Sequence, residues 1–277
     1  MPIIISKQLN LERTADSGQC FRMNKQEDGR FLVQAGNKYV YIYEKAPHRF
    51  HFSCTRRAFE TFWRPYFDLD TDYGDLIKQI PDDDLFLQAA CDYSSGLRIL
   101  RQTPWEALIC FIISQRKSIP AIKSCVEALC RTFGRPIGQT GLYAFPTPHA
   151  LARADDSALR ACALGYRAPY IKETARLVYQ KKIDLEGLNN ESDTDILAAL
   201  CTLPGVGIKV ANCVLLFGYH RLNAFPRDVW ILRVEETYYG GRFPEERYPG
   251  YAGIMQQYMF YFGKSRAHVK WKEASNE

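Results

Sequence analysis

The chain has 277 residues, 47% of them hydrophobic and 24% charged, a composition typical of a globular protein with a substantial core. No run approaches the roughly 18 consecutive apolar residues of a membrane-spanning helix, and the N-terminal stretch MPIIISKQLN turns polar too soon for a signal peptide. We therefore expect no membrane association and no targeting signal, in a cytoplasmic (nucleoid-associated) or nuclear protein. The net charge of +5 permits an anionic partner, but many enzymes share it.

Nine cysteines are scattered along the chain, most of them within apolar runs. Their odd number, and the lack of a CxxC pair or a histidine-rich cluster, argue against a disulfide scaffold and a zinc site. No cysteine follows Cys213, so the C-terminal tail lacks the ligands of a four-cysteine iron–sulfur cluster. We expect buried, reduced thiols and neither a metal nor another cofactor.

The first 55 residues have the pattern of β-strands. Residues 31–35 and 39–43 are rich in β-formers and flank a Gly36-Asn37 turn, which is typical of a hairpin. A third run, 49–53, places Phe50 and Phe52 on one face. These runs predict an antiparallel sheet.

From about residue 56 the pattern becomes helical. Thr103 is placed as an N-cap, Pro104 suits the first turn, and Glu106 would complete a capping box before a nearly all-apolar core helix over 107–114. A second amphipathic helix follows Pro120 and is ended by Gly134. The predicted fold is α+β: a small N-terminal antiparallel β-sheet domain, residues 1–95, followed by a mostly α-helical body, residues 96–277.

The segment 203–213, LPGVGIKVANC, predicts a helix-hairpin-helix within that body. Gly205 and Gly207 would allow a close backbone approach, and the N-terminus of the second helix would point its free amides and positive dipole end outward. Such an end suits a DNA phosphate. An ordinary helix–helix turn with glycine caps is the alternative.

Lys209 and Asp228 are the candidate catalytic pair. Lys209 lies in the first turn of the second hairpin helix, where the helix dipole disfavours the ammonium and so favours a neutral, nucleophilic amine. Asp228 comes nineteen residues later and can face Lys209 only if the chain folds back. Such a pair fits attack on a sugar C1′, with the carboxylate offsetting positive charge on the sugar. The alternative is a surface lysine and an unrelated capping aspartate.

Several motifs in this order resemble the helix-hairpin-helix/Gly-Pro-Asp superfamily of DNA glycosylases. LPGVGIK followed by Asp228 looks like its lyase-competent members, and Pro226-Arg227-Asp228 looks like the 8-oxoguanine branch. Segments 16–22 (DSGQCFR), 96–102 (GLRILRQ) and 164–168 (LGYRA) are similar to further segments of that branch. The resemblance covers about residues 10–262.

The resemblance implies a pocket for an extruded base. In it, the Gly18 carbonyl would accept a hydrogen bond from N7–H, which 8-oxoguanine has and guanine lacks. Gln256 would bind the Watson–Crick edge, while Phe260, four residues later, and Cys213 would form the two walls. The alternatives are an exposed Gln256, a core Phe260 and a structural buried thiol at Cys213.

The resemblance also implies DNA contacts by Arg116, Tyr166 and Arg167, around the gap left by the extruded base, in addition to the hairpin glycines. Arg116 departs from the asparagine usual in this branch, and Trp230 stands where a histidine is common. The arginine at 116 could change which base the enzyme prefers opposite the lesion. The tryptophan at 230 could change a contact with a DNA phosphate.

These features predict a bifunctional DNA glycosylase/AP lyase, a monomer that acts on double-stranded DNA containing oxidised guanine. It would excise 8-oxoguanine through a lysine Schiff base and cleave the abasic strand by β-elimination. The alternatives are a glycosylase of the same fold for another damaged base, and a catalytically silent DNA-binding module that uses the hairpin alone.

Overall fold

A computed structural model of the chain describes residues 1–274. Five strands form one antiparallel sheet in the order β1-β5-β4-β3-β2. The strands are β1 Ile3–Ile5, β2 Met23–Lys25, β3 Phe31–Ala35, β4 Lys38–Ala46 and β5 Arg49–Phe52. The predicted hairpin and the antiparallel sheet are confirmed, and the turn at Gly36 has a positive φ of 57°.

The remaining regular secondary structure in the described chain is helical. The α-helices are α1 Leu11–Asp16, α2 Arg56–Ala58, α3 Arg64–Tyr66, α4 Tyr73–Ile77, α5 Leu85–Tyr93, α6 Pro104–Ser114, α7 Ile119–Phe133, α8 Pro148–Ala152, α9 Asp156–Ala161, α10 Ala168–Tyr179, α11 Asp193–Cys201, α12 Ile208–Phe217, α13 Val229–Tyr238, α14 Ala252–Gly263 and α15 Arg266–Ala274. A π-helical turn, Phe59–Trp63, joins α2 to α3, and short 3-10 helices span Gly165–Arg167, Gly187–Asn190 and Glu245–Arg247. The predicted α+β fold class is therefore confirmed.

Two clusters of buried side chains stabilise the structure. One lies under the sheet and includes Val33, Ile42, Phe52 and Trp63. The larger one lies among the helices, where every residue of α6 from Glu106 to Ile113 is buried. The predicted boundary at residue 95 stays a prediction, and the last three residues of the predicted body, 275–277, lie outside the described residues.

Glu106 corrects one prediction about α6. Thr103 caps the helix as predicted, accepting a hydrogen bond from the Glu106 amide. The Glu106 carboxylate, however, does not turn back to complete a capping box. It accepts a 2.7 Å hydrogen bond from the Gly36 amide and pairs with Arg22 at 3.4 Å, both charged side chains being almost fully buried. The pair joins the sheet to the helical body, because a buried carboxylate is satisfied better by a guanidinium and an amide than by one helix end.

The packing of the helices brings several chain segments to one place. α12 packs on α6 and α11, and α14 packs on α5 and α13. The N-termini of α12 and α13 line one cavity together with α14 and the loops that follow α1 and α6. None of the helices within residues 1–274 has the length and apolar character needed to span a membrane.

Candidate active site

The hairpin turn between α11 and α12 is shaped by two glycines in different ways. Gly205 has a φ of +74°, and a Cβ there would lie 2.5 Å from the Tyr170 ring. The close approach that requires this glycine is thus to an aromatic side chain, not to another backbone as expected. Gly207 is the N-cap of α12 and has no neighbour within 4 Å of a hypothetical Cβ. The free amides of α12 therefore lie at an open surface.

Lys209 lies in the first turn of α12, as predicted, and is half-buried. Its Nζ lies 5.7 Å from the centre of the Phe111 ring. Cys213 follows one helical turn later and is buried. Burial raises the pKa of the Cys213 thiol, outweighing the opposite effect of the neighbouring Lys209 ammonium, so the sulfur is a neutral, apolar wall at neutral pH.

Asp228 is the N-cap of α13. Its Oδ1 accepts hydrogen bonds from the amides of Trp230, at 3.0 Å, and of Ile231, at 2.9 Å. The preceding residue, Arg227, is held by Glu235 and Glu245. A capping aspartate, which was the alternative to a catalytic one, is therefore present, but the same side chain also faces a cavity.

Lys209 and Asp228 line one cavity of about 700 Å³. The fold-back that the catalytic hypothesis required is thus present. Phe111, Trp230 and Phe260 lie around the same cavity. Trp230 donates its backbone amide to Asp228, and its indole ring can provide an apolar or stacking surface but not the positive charge of a protonated histidine.

A narrow cleft of about 50 Å³ adjoins this cavity. Lys209 and Asp228 line this cleft as well. All four predicted base-binding residues also line it: Gly18, Cys213, Gln256 and Phe260. Its volume is about that of one or two water molecules. The Phe260 ring lies 3.5 Å from the position that a Cβ at Gly18 would occupy, so these two residues approach each other closely in the cleft.

Gln256 is buried rather than exposed, which removes one of the alternatives. Its Nε2 donates a 2.9 Å hydrogen bond to the Pro226 carbonyl. Its Oε1 is buried and accepts no hydrogen bond from any described residue. A buried acceptor without a partner is unfavourable by roughly 1–3 kcal/mol, which a ligand with an N–H group would relieve.

The loop between α6 and α7, residues 115–118, is called the wedge loop because it carries Arg116, which is predicted to contact DNA at the gap left by the extruded base. Arg116 is exposed and has a φ of 53°, a conformation that a non-glycine residue adopts at some energetic cost. Gln115 donates a 2.9 Å hydrogen bond to the Gly205 carbonyl, which ties this loop to the hairpin. Arg116, Tyr166, Gly205 and Gly207 line one open surface hollow beside it.

Arg167 lies apart from the other predicted DNA-binding residues. Its side chain is only 5% exposed, and its guanidinium donates to the carbonyls of Gln115 and Leu164. The guanidinium carbon also lies 4.3 Å from the centre of the Tyr166 ring, which is half exposed. Arg167 therefore holds the wedge loop through the Gln115 carbonyl and packs against the Tyr166 ring on its buried side.

Three residues of the site were missed by sequence reasoning: Phe111, Gln257 and Lys264. Phe111 was placed only in a core helix, although it lines both cavities. Gln257 lines the cleft, and Lys264 lines the larger cavity just past the end of α14. Helical spacing could have indicated Lys264, which lies one turn after Phe260.

Two known protein families match consecutive parts of the chain. Residues 2–108 match the family described as 8-oxoguanine DNA glycosylase, N-terminal domain, and residues 109–246 match the HhH-GPD superfamily of base excision DNA repair proteins. A probable N-glycosylase/DNA lyase of Methanothermobacter thermautotrophicus is 33% identical over 70% of this chain and 71% of its own length. The chain belongs to the 8-oxoguanine DNA glycosylase family.

Solved structures support the same family of bifunctional glycosylase/lyase enzymes. A structure of MBOgg1 with a low-affinity DNA ligand is 36% identical, has a TM-score of 0.88, and covers 95% of this chain and 94% of its own. The Clostridium acetobutylicum 8-oxoguanine glycosylase/lyase, bound to duplex DNA with cytosine opposite 8-oxoguanine, is 31% identical, with a TM-score of 0.85 and 98% and 94% coverage. Both structures therefore match this chain over nearly its whole length.

Proposed function

We propose that this enzyme excises 8-oxoguanine from duplex DNA with Lys209 as nucleophile and then cleaves the abasic strand. The observation that carries the proposal is the convergence of Lys209 and Asp228, from the starts of two helices, on the cleft lined by Gly18, Cys213, Gln256 and Phe260. A silent DNA-binding hairpin gives no reason for that convergence.

In the first step, the neutral amine of Lys209 attacks C1′ of the extruded nucleotide. The bond between C1′ and the base breaks, and the base leaves with the bonding electrons and takes up a proton. Positive charge develops on the sugar, and the Asp228 carboxylate stabilises it electrostatically. The amide hydrogen bonds to Asp228 hold the carboxylate in place while it does so.

In the second step, the C1′–O4′ bond opens and the Lys209 nitrogen forms a Schiff base with C1′. The protonated imine acidifies the hydrogen on C2′. Loss of that proton and departure of the 3′-phosphate then break the C3′–O bond, which is β-elimination. The ring oxygen O4′ takes up a proton as the ring opens, and the phosphate leaves with the electrons of the C3′–O bond. Water then hydrolyses the remaining imine, which releases the cleaved strand and returns Lys209 as a free amine.

Recognition of the base would use three kinds of contact. The carbonyl of Gly18 would accept N7–H of 8-oxoguanine, and guanine would leave it unpaired. The unpartnered Oε1 of Gln256 suits the N–H donors on the Watson–Crick edge of guanine bases. Cys213 and Phe260 would form the two walls.

The DNA partner would lie on the surface formed by Arg116, Tyr166 and the hairpin amides at Gly205 and Gly207. Arg116 would enter the gap left by the base. Arg167 would act on DNA indirectly, because it supports Tyr166 and the wedge loop. We propose a monomer on double-stranded DNA, because one chain contains the complete set of candidate residues.

The deciding experiment combines two assays on duplexes with one 8-oxoguanine opposite each of the four bases. Strand cleavage reports lyase activity, and borohydride reduction traps a Schiff base as a covalent protein–DNA adduct. We expect both with the wild-type protein. A duplex that is bound without cleavage or trapping would favour the silent module, and cleavage only at another lesion would favour a different glycosylase.

A further inference from the structure

Two side chains, one on α14 and one directly after its last residue, hold the loop that leads to Gly18. Gln257 is only 3% exposed, and its Nε2 donates a 2.8 Å hydrogen bond to the Ser17 carbonyl. The Lys264 Nζ donates a 3.0 Å hydrogen bond to the Asp16 carbonyl. The two carbonyls that directly precede Gly18 are therefore both fixed to the helix that carries Gln256 and Phe260.

The residue after Gly18 is fixed as well. Gln19 is fully buried, and its Nε2 donates to the Arg98 carbonyl at 2.8 Å while its Oε1 accepts from the Leu100 amide at 2.8 Å. Gly18 itself has a φ of +80° and borders both the cavity and the cleft. Among residues 1–274, no donor bonds its carbonyl. It is the one carbonyl of residues 16–18 left free for a ligand.

We infer that Gln257 and Lys264 are positioning residues that set the preference for 8-oxoguanine over guanine. This inference rests on the proposed function, because it takes the Gly18 carbonyl as the group that reads N7–H. Discrimination between 8-oxoguanine and guanine by a carbonyl requires that the peptide carrying it cannot rotate. If the peptide could rotate, guanine would no longer leave a buried acceptor unpaired, and the penalty against it would shrink.

Lys264 also connects the loop to the wall of the cleft. Its Nζ lies 4.7 Å from the centre of the Phe260 ring, within the range of a cation–π contact. The same ammonium therefore contacts the loop that would read the base and the ring that would stack on it. Loss of the ammonium should loosen both, whereas loss of Gln257 should loosen the loop alone.

The test uses Gln257→Leu and Lys264→Met, each in an Asp228→Asn background that permits equilibrium binding. The measurement is the affinity for matched duplexes with 8-oxoguanine or guanine opposite cytosine. We expect the ratio of the two affinities to fall about tenfold in each variant. Lys264→Arg keeps a donor and a positive charge and should restore most of the ratio.

Two matched controls remove similar hydrogen bonds elsewhere. Lys123 donates to the Met23 carbonyl at 3.1 Å, and Gln88 donates to the Pro81 carbonyl at 3.0 Å, and neither borders the cavity or the cleft. Lys123→Met and Gln88→Leu should leave the ratio unchanged. Test variants that keep the parental ratio of the two affinities, whether or not both affinities fall, would overturn the inference. An equal fall of the ratio in the controls would overturn it as well.

Folding is checked by thermal unfolding of each variant. If Gln257→Leu does not fold, Gln257→Met keeps an unbranched side chain of similar length and removes the donor, and the Lys264 variants give an independent result. A parent protein without any preference for 8-oxoguanine would refute the proposed function, and this inference with it. A parent with the preference and test variants that retain it would refute this inference alone.

Discussion

Gln256 donates a 2.9 Å hydrogen bond to the carbonyl of Pro226, two residues before Asp228. The side chain proposed to read the base is thereby attached to the segment that carries the proposed catalytic carboxylate. A base that binds Gln256 would therefore have a fixed position relative to Asp228. The connection runs through the hydrogen bond from Gln256 to Pro226 and then through two peptide bonds to Asp228. The attachment occupies the amide nitrogen of Gln256, while its amide oxygen accepts no hydrogen bond from the described residues.

Replacing Lys209 by Gln should abolish both base release and borohydride trapping. Glutamine keeps the polarity and much of the length of the side chain but has no nucleophilic amine. Binding to the damaged duplex should remain largely intact, because the hairpin amides and the wedge loop are untouched. Gel-based strand cleavage, trapping and equilibrium binding measure the three quantities. Strand cleavage retained by a clean preparation would assign the nucleophile to another residue.

Asp228→Asn should slow single-turnover base excision by orders of magnitude, with little loss of damaged-DNA affinity. The neutral amide cannot offset the positive charge that develops on the sugar. Because asparagine is also a good N-cap, α13 should keep its start, and the free energy of unfolding should change little. Excision near the wild-type rate would show that Asp228 serves only as the cap.

Comparing Asp228→Ala with Asp228→Asn separates the two roles of Asp228, as the N-cap of α13 and as a negative charge. Alanine removes both, so this variant should lose about 1 kcal/mol of unfolding free energy in addition to its activity. Urea unfolding of the two variants side by side gives the difference. Equal unfolding free energies would mean that the two hydrogen bonds to Asp228 contribute nothing measurable to the start of α13.

The parts of this protein that were predictable from sequence depend on local patterns. The β3–β4 hairpin was expected from alternating residues around Gly36, and the start of α12 from the glycines before Lys209. The three-residue strands β1 and β2 were missed because they are too short to show an alternating pattern. Such elements exist only because a longer neighbour supplies their hydrogen-bond partners.

Long-range partners account for the rest of what was missed. Glu106 finds Gly36 and Arg22 across a sequence separation of 70 and 84 residues, and no local rule predicts that choice over a capping box. Arg167 was expected at the DNA surface but folds inward onto the Gln115 carbonyl. Lys264 belongs to no motif. Helical spacing places it one turn after Phe260, but its position at the cavity depends on the packing of α14. The geometry around Lys209 and Asp228 therefore needed the structure.

Lys264 should make stability depend on pH in the alkaline range. Burial lowers its pKa to about 8, against the opposite effect of the Asp16 and Asp228 carboxylates, while an unfolded lysine has a pKa of about 10.4. Between these values the unfolded chain binds more protons than the folded chain, so stability rises with pH. Below about pH 8 both states are protonated, and the unfavourable burial of the ammonium is fully present.

The measurement is the difference in unfolding free energy between wild type and Lys264→Met, by urea unfolding, at about pH 7 and about pH 9.5. Wild type should gain relative to the variant as the pH rises. Lys264→Arg, whose guanidinium stays charged over the whole range, should show no such gain relative to Lys264→Met. A difference that is flat with pH, or that falls, would show that the Lys264 ammonium is not desolvated.

Phe260→Ala should weaken binding of 8-oxoguanine and guanine duplexes in parallel. Stacking on an aromatic ring is largely indifferent to oxidation of the base and is worth about 1–3 kcal/mol, so both affinities should fall roughly ten- to a hundredfold. The preference for 8-oxoguanine should persist, because the Gly18 carbonyl is unchanged.

Phe260→Leu keeps apolar volume without a ring and separates stacking from filling of the cleft. Both affinities are measured on matched duplexes in the Asp228→Asn background. A collapse of the ratio, instead of a parallel loss, would show that Phe260, packed 3.5 Å from the Cβ position of Gly18, helps to read the lesion.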